Sequence, residues 1–180
     1  MPGRPVNPFS ALVAAAQHSF EEIAVADLRE NLDLNLVGGA LLPCQVFGSA
    51  TKTNRKGSII NIASVSAHLP LSSVVSYSAA KAALLSLTKF LAREWASCNV
   101  RVNSVTPGFF PGEQNRRLLF NADGTPTARG KVILSHTPMA RFGVPSELVG
   151  AAVFLASEKA SGFVTGIDLR VDGGFLSQTI

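Results

Sequence analysis

The run GSIINIAS, residues 57–64, sets the first constraint on what this chain can form. It is short, rich in isoleucine and lacks alternation of apolar and polar side chains, which predicts a strand buried on both faces. Such a strand needs a covering layer on each side. Residues 76–97 supply one as a long helix that opens on SYSAAK. NVRVNSVTPG, residues 99–108, predicts a second strand, stopped by Pro-Gly. PSELVGAAVFLASE, residues 145–158, begins with proline and carries a helical apolar face. GIDLRV, residues 166–171, predicts a last strand, closed by Asp172-Gly173-Gly174.

The remaining segments read less sharply. Residues 1–10 are irregular, and 10–17 suit a short helix. Residues 26–50 place Leu28, Leu32, Leu36 and Leu41 near helical spacing, interrupted by Gly38, Gly39 and Pro43. Close packing against another helix is one reason for those glycines. Residues 109–144 are polar, with Gly and Pro, and predict an excursion bearing one or two short helices. The order helix, strand, helix, strand, excursion, helix, strand implies an α/β fold, with right-handed crossovers, a parallel sheet and helices on both faces. Ligands in such sheets gather at the carboxyl ends of strands. Ser64 and Pro107-Gly108 fall at such ends, and Tyr77 and Lys81 near the start of the following helix, so all can face one crevice.

Composition narrows the class. The 180 residues suit one domain, and 47% are apolar, enough for a real core and against disorder. No uninterrupted apolar stretch reaches the ~18 residues of a membrane span. The opening MPGRPVNPFS lacks the apolar core of a secretion signal, so the expected compartment is cytoplasmic. Cys44 and Cys98 form no C-x-x-C, which points to two buried reduced thiols and no metal site. The net charge is +4 and the pI about 9.4. The cations are scattered, with small groups at Lys52, Arg55, Lys56 and at Arg116, Arg117, so a solvated surface rather than a nucleic-acid site is expected. A hydrolase reading lacks the G-x-S-x-G elbow, and a zinc enzyme lacks ligand spacing.

Tyr77 is the only tyrosine, and Lys81 lies four positions on. By composition alone a lysine falls there about one time in sixteen, so the pair by itself is weak evidence; a half-buried ring with a lysine stem packed on it accounts for it. Positions i and i+4 do share a helix face, however. An ordinary tyrosine has a pKa of about 10, and a nearby cation lowers it by roughly 1–3 units, toward the range useful for proton transfer. Ser64 can hydrogen-bond a substrate oxygen, or cap the strand end. Asn35, polar within an apolar helix, can bond to backbone or share a water with Lys81.

Taken together, Asn35 in N-L-V-G, Ser64 in I-N-I-A-S, Tyr77 and Lys81 in Y-S-A-A-K, V-R-V-N-S-V-T-P-G at 100–108, R-F-G-V-P-S-E-L at 141–148 and the V-T-G…V-D-G-G ending resemble the short-chain dehydrogenase/reductase family. Tyr77 follows Ser64 by thirteen residues, as is usual there, and the likeness runs from about residue 20 onward. The resemblance implies a Rossmann-like sheet and reversible hydride transfer between NAD or NADP and an alcohol or carbonyl. It implies Tyr77 as general acid/base, Lys81 lowering its pKa and holding the nicotinamide ribose, Ser64 positioning the substrate oxygen, and Asn35 supporting a water relay. Pro107 and Gly108 would line the nicotinamide pocket. The segment P-G-F-F-P-G-E-Q-N-R-R, then H-T-P-M-A-R-F-G, resembles the branch acting on mannonate or gluconate. It implies a substrate lid at 109–144, with Glu113, Gln114, Arg116, Arg117 and His136 as candidate substrate contacts; exposed surface arginines are the alternative for Arg116 and Arg117.

The chain departs from that pattern in two places. The glycine loop G-x-x-x-G-x-G and its preceding strand are not found, so the expectation is a single incomplete domain, the C-terminal half of a doubly wound fold. Weak or no binding of NAD(P) by the chain alone and an open apolar strand edge follow. Gly112 stands where the family often has a cofactor-bonding threonine. Two readings result: an oxidoreductase, or a catalytically inactive module that associates through helices 26–50 and 76–97 as a homo-oligomer.

Overall fold

The computed structural model describes residues 20–113 and 115–179; the short helix expected at 10–17 lies outside them. Three parallel strands, β1 (Gly57–Ile62), β2 (Val100–Pro107) and β3 (Asp168–Val171), lie in the order β1-β2-β3. Gly57 pairs with Val100 and Ile62 with Val105, while Ser104 pairs with Asp168. Every residue of β2 from Val100 to Thr106 is buried. Among the described residues β1 is an edge strand, and Ile62 at its end is 54% exposed.

Helices cover both faces. Helix α1 (Val25–Leu32) runs through a π-helical stretch, Asp33–Leu41, into α2 (Leu42–Asn54). The long α3 (Val75–Trp95) crosses from β1 to β2. Leu91, Ala92 and Trp95 of α3 and Cys44 of α2 close a core over Val100 and Val102. Alternation along β2 sends Arg101 to the opposite face. There its guanidinium donates to the Ser161 hydroxyl at 3.0 Å and the Ala156 carbonyl at 3.4 Å, which join α6 (Val149–Ala156) and α7 (Glu158–Ser161) to the sheet. The excursion carries the two expected short helices, α4 (Arg116–Leu119) and α5 (Ala128–His136). No helix among the described residues is long and apolar enough to cross a membrane.

The segment 26–50 corrects one expectation. It is helical throughout but not uniformly α, and Gly38 and Gly39 are exposed rather than packed against a second helix. The glycine that does meet a neighbouring helix closely is Gly48. A Cβ built there lies 2.2 Å from the Trp95 indole. Cys44 is buried, Cys98 only half-buried, and both are free. Buried Asn61 on β1 ties the layers together: its amide donates to the Thr88 hydroxyl of α3 at 2.9 Å.

Gly48→Val should therefore destabilise the fold by about 1–3 kcal/mol through overpacking against Trp95. Gly150→Ala, where an added Cβ meets nothing within 4 Å, should be neutral or stabilising by roughly 0.5 kcal/mol. Urea unfolding of both variants beside the parent measures the difference.

Candidate active site

The parallel register brings the ends of β1 and β2 together, and the candidate residues meet there. Backbone pairing continues past β1, since the Ala63 N–H donates to the Val105 carbonyl at 2.8 Å. Ser64 then turns the chain as the cap of the short helical turn Val65–Ala67. Its hydroxyl oxygen accepts from the Ser66 N–H at 3.2 Å and the Ser66 hydroxyl at 3.0 Å. With its lone pairs engaged, the Ser64 O–H is left as a donor. It bears on the phenol of Tyr77, in the first turn of α3, and favours that phenol's ionised form. Strand-end cap and hydroxyl partner are thus the same residue. Buried Ser66, which orients it, was not singled out in the sequence; I-A-S-V-S offers two serines, and nothing local distinguishes their tasks.

Lys81 stands on the same face of α3. Its ammonium lies 5.5 Å from the centre of the Tyr77 ring and donates to the Ile62 carbonyl at 2.9 Å. The cation therefore sits over the ring face and is held by the last carbonyl of β1. This corrects the expected electrostatics. Burial pushes the Tyr77 phenol above its ordinary value, and the Ser64 hydroxyl only partly opposes it. Burial likewise pushes the Lys81 amine down. Lys81 is in place, but desolvation outweighs the lowering expected from it. Among the described residues, the hydroxyls of Ser76 and Ser78, on either side of Tyr77, are buried and have no hydrogen-bond partner.

Asn35 is half-buried within the π-helical stretch, and its amide donates to the Asn31 carbonyl at 3.2 Å. That is the backbone-bonded alternative weighed above. Gly108 donates its N–H to the Val171 carbonyl at 2.9 Å, and a Cβ there would lie 2.7 Å from the Cα of Asp172, so only glycine fits this crossing from β2 to the end of β3. At Gly112 an added Cβ meets nothing within 4 Å, so packing does not exclude threonine.

The lid candidates separate. His136, at the end of α5, lines a cavity of about 450 Å³ and meets Phe175 edge-on at 4.6 Å between ring centres. Arg116 is exposed and lies over the Phe120 ring, 5.3 Å from its centre. Glu113 and Arg117 are exposed, and Gln114 lies outside the described residues. None of these three arginine and glutamate side chains lines that cavity. A second cavity of about 440 Å³ opens between Phe110, Arg141, Arg170 and Asp172, where Arg141 and Glu147 form a forked ion pair, Nη2 to Oε1 at 2.6 Å and Nη1 to Oε2 at 2.9 Å. That guanidinium holds the exposed Glu147 carboxyl down at about 2.

One half-buried tether escaped the sequence reading. The Asp168 carboxylate accepts from Ser104 at 2.6 Å and Thr106 at 2.8 Å, and meets His68 Nε2 at 3.0 Å. His68 ends the turn that Ser64 begins, so β3 fixes the turn from its far end. An aspartate at the start of a strand and a histidine one hundred residues earlier carry no shared local signal.

Residues 8–176 match the family described as enoyl-(acyl carrier protein) reductase. The chain belongs to the short-chain dehydrogenase/reductase family. It is 48% identical to the uncharacterized oxidoreductase UxuB of Bacillus subtilis, over 77% of this chain and 50% of that one. It is 40% identical to the 2-dehydro-3-deoxy-D-gluconate 5-dehydrogenase of Formosa agariphila, over 87% of this chain and 57% of that one. Among solved structures, the gluconate 5-dehydrogenase of Burkholderia cenocepacia in complex with NADP and tartrate superposes with a TM-score of 0.83 at 34% identity, covering 90% of this chain and 61% of that one. The likeness to the gluconate and mannonate branch therefore holds, and the chain spans about half the length of the curated relatives it matches.

Removing the tether tests its part in the site's architecture. Asp168→Ala leaves Thr106 and His68 facing a buried void and should cost about 1–3 kcal/mol in urea unfolding. Asp168→Asn, which keeps an acceptor, should cost less.

Proposed function

We propose that this chain carries the proton-transfer and substrate-binding part of an NAD(P)-dependent oxidoreductase that interconverts an alcohol and a carbonyl on a sugar acid. The observation that carries the reading is the Lys81 ammonium over the Tyr77 ring, tied to the last carbonyl of the strand that leads into Ser64. The relatives' names supply the substrate class, and the chain's membership of their family supports it.

The residues present fit the nicotinamide end of such a cofactor. Lys81 spends one of its three donors on the Ile62 carbonyl and keeps two for ribose hydroxyls. Tyr77 shares that face, and Pro107 and Gly108, at the end of the neighbouring strand, would line the nicotinamide pocket. The sequence holds no glycine loop for a pyrophosphate. When bound, the nicotinamide would supply or accept the hydride. The chain's own work is on the proton. Tyr77, held protonated by burial through neutral pH, donates to a substrate oxygen in the reductive direction, and Ser64 turns its free O–H to the same oxygen. Lys81 passes a proton to the phenolate that remains and regains one from a water, which the Asn35 amide oxygen is free to hold. Residues 109–144 cover the substrate.

A second reading has its own support. Val46 and Phe47 on α2 are each 66% exposed, and Phe90 on α3 is 55% exposed. Apolar side chains so placed favour association of these helices with a second copy of the chain, whether or not chemistry follows.

Reduction of oxo sugar acids by NADH or NADPH tests the first reading. Tyr77→Phe should lower kcat by about 10²–10⁴-fold. The parent rate should persist across neutral pH and fall only at alkaline pH, as the raised phenol loses its proton. Turnover indifferent to Tyr77→Phe contradicts the assignment, and association without cofactor binding favours the module.

A further inference from the structure

We infer that Arg129 is the anion anchor of the α5 cavity, holding the carboxylate of a polyhydroxy acid; the inference rests on the oxidoreductase reading for its substrate class. The cavity holds about 450 Å³, the size range of small-ligand sites. Its walls come from the segments that adjoin the candidate site. Leu69 and Leu71 follow the turn begun by Ser64 and precede α3, and Phe109 follows Gly108. Ile133 of α5 and Phe175 complete an apolar lining, with Phe109 and Phe175 edge-to-face at 5.1 Å.

Into this lining α5 brings one full charge. Arg129 is half-buried and has no hydrogen bond or ion pair with any described residue. No acidic residue lines the cavity. The other arginines that the fold encloses or pairs are committed: Arg101 to Ser161 and Ala156, Arg141 to Glu147. A guanidinium among apolar walls, without a counter-charge, leaves a positive field in a poorly screened space. Its planar fork matches a carboxylate through two parallel hydrogen bonds. The remaining polar lining, Ser72, Ser135 and His136, suits hydroxyls rather than a second charge. The Ser135 hydroxyl already donates to the Val132 carbonyl at 2.9 Å and is left as an acceptor. The apolar rings offer a surface for the C–H face of a polyol. An acid headgroup at Arg129, with its hydroxylated chain running toward Phe109, satisfies each of these features. Arg116 and Arg117, the arginines that sequence suggested for this task, stand outside the cavity.

The test is binding of D-gluconate and of the neutral polyol D-glucitol to the whole chain, without cofactor, by saturation-transfer NMR and calorimetry. The expected result is preferential binding of gluconate. Arg129→Gln should weaken gluconate at least tenfold and leave glucitol unchanged, Arg129→Lys should restore part of the loss, and exposed Arg93→Gln should change neither. Equal binding of acid and polyol, binding of neither, or gluconate affinity unmoved by Arg129→Gln overturns the proposal. The urea midpoint of each variant shows that the fold is intact. The readout needs no hydride transfer, so binding that behaves as expected beside absent turnover counts against the oxidoreductase reading alone.

Discussion

The structure depends on burying β2 on both faces inside a parallel sheet. Val100 and Val102 pack under α3, while Arg101 and Asn103 face the other layer, where they donate to Ser161, Ala156 and Val164. A parallel strand cannot return by a tight turn, so α3 must cross the sheet between β1 and β2. That crossing sets the first turn of α3 beside the end of β1. Ser64 and Tyr77 come from opposite ends of the same connection and meet because the register fixes both. The Asn103 side chain spans the Val164 carbonyl and the Ile167 N–H, and so shapes the approach to β3. Asp168 then reaches back to His68. The far strand thus steadies the turn that presents Ser64.

Within that frame, burial and charge compete at Tyr77. The phenol is taken from water, which favours its neutral form, and a cation at 5.5 Å from the ring centre with a carbonyl of its own does not reverse this. The outcome favours a proton donor over a standing phenolate. It also gives Ser64 a defined part, because its hydroxyl is the group that favours the ionised form.

Much of the architecture was legible in the sequence, for reasons that differ by element. The apolar run before Ser64 and the V-R-V-N-S-V-T-P-G strand announced themselves because both faces of each are covered. The long helix after Val74 did so through its apolar stripe. Ser64, Tyr77 and Lys81 were legible as a spaced set, and the structure brings them together. The π-helical stretch around Asn35 was not, since Gly38 and Gly39 interrupt the pattern without saying how the backbone responds. Ser66, the Asp168–His68 tether and Arg129 were invisible for one shared reason. Each acquires its meaning from a neighbour distant in sequence or from a cavity wall. The direction of the Tyr77 shift was missed because spacing places a cation but does not measure desolvation.

The most direct test of this account uses the chain's single tyrosine. Its phenolate can be followed by near-ultraviolet absorbance or by NMR of a labelled ring as pH rises, with no other tyrosine contributing. The account predicts a midpoint above the ordinary value of about 10 and a further rise in Ser64→Ala, which loses the hydroxyl that lowers it. A midpoint below the ordinary value, or one that Ser64→Ala leaves unmoved, would contradict it.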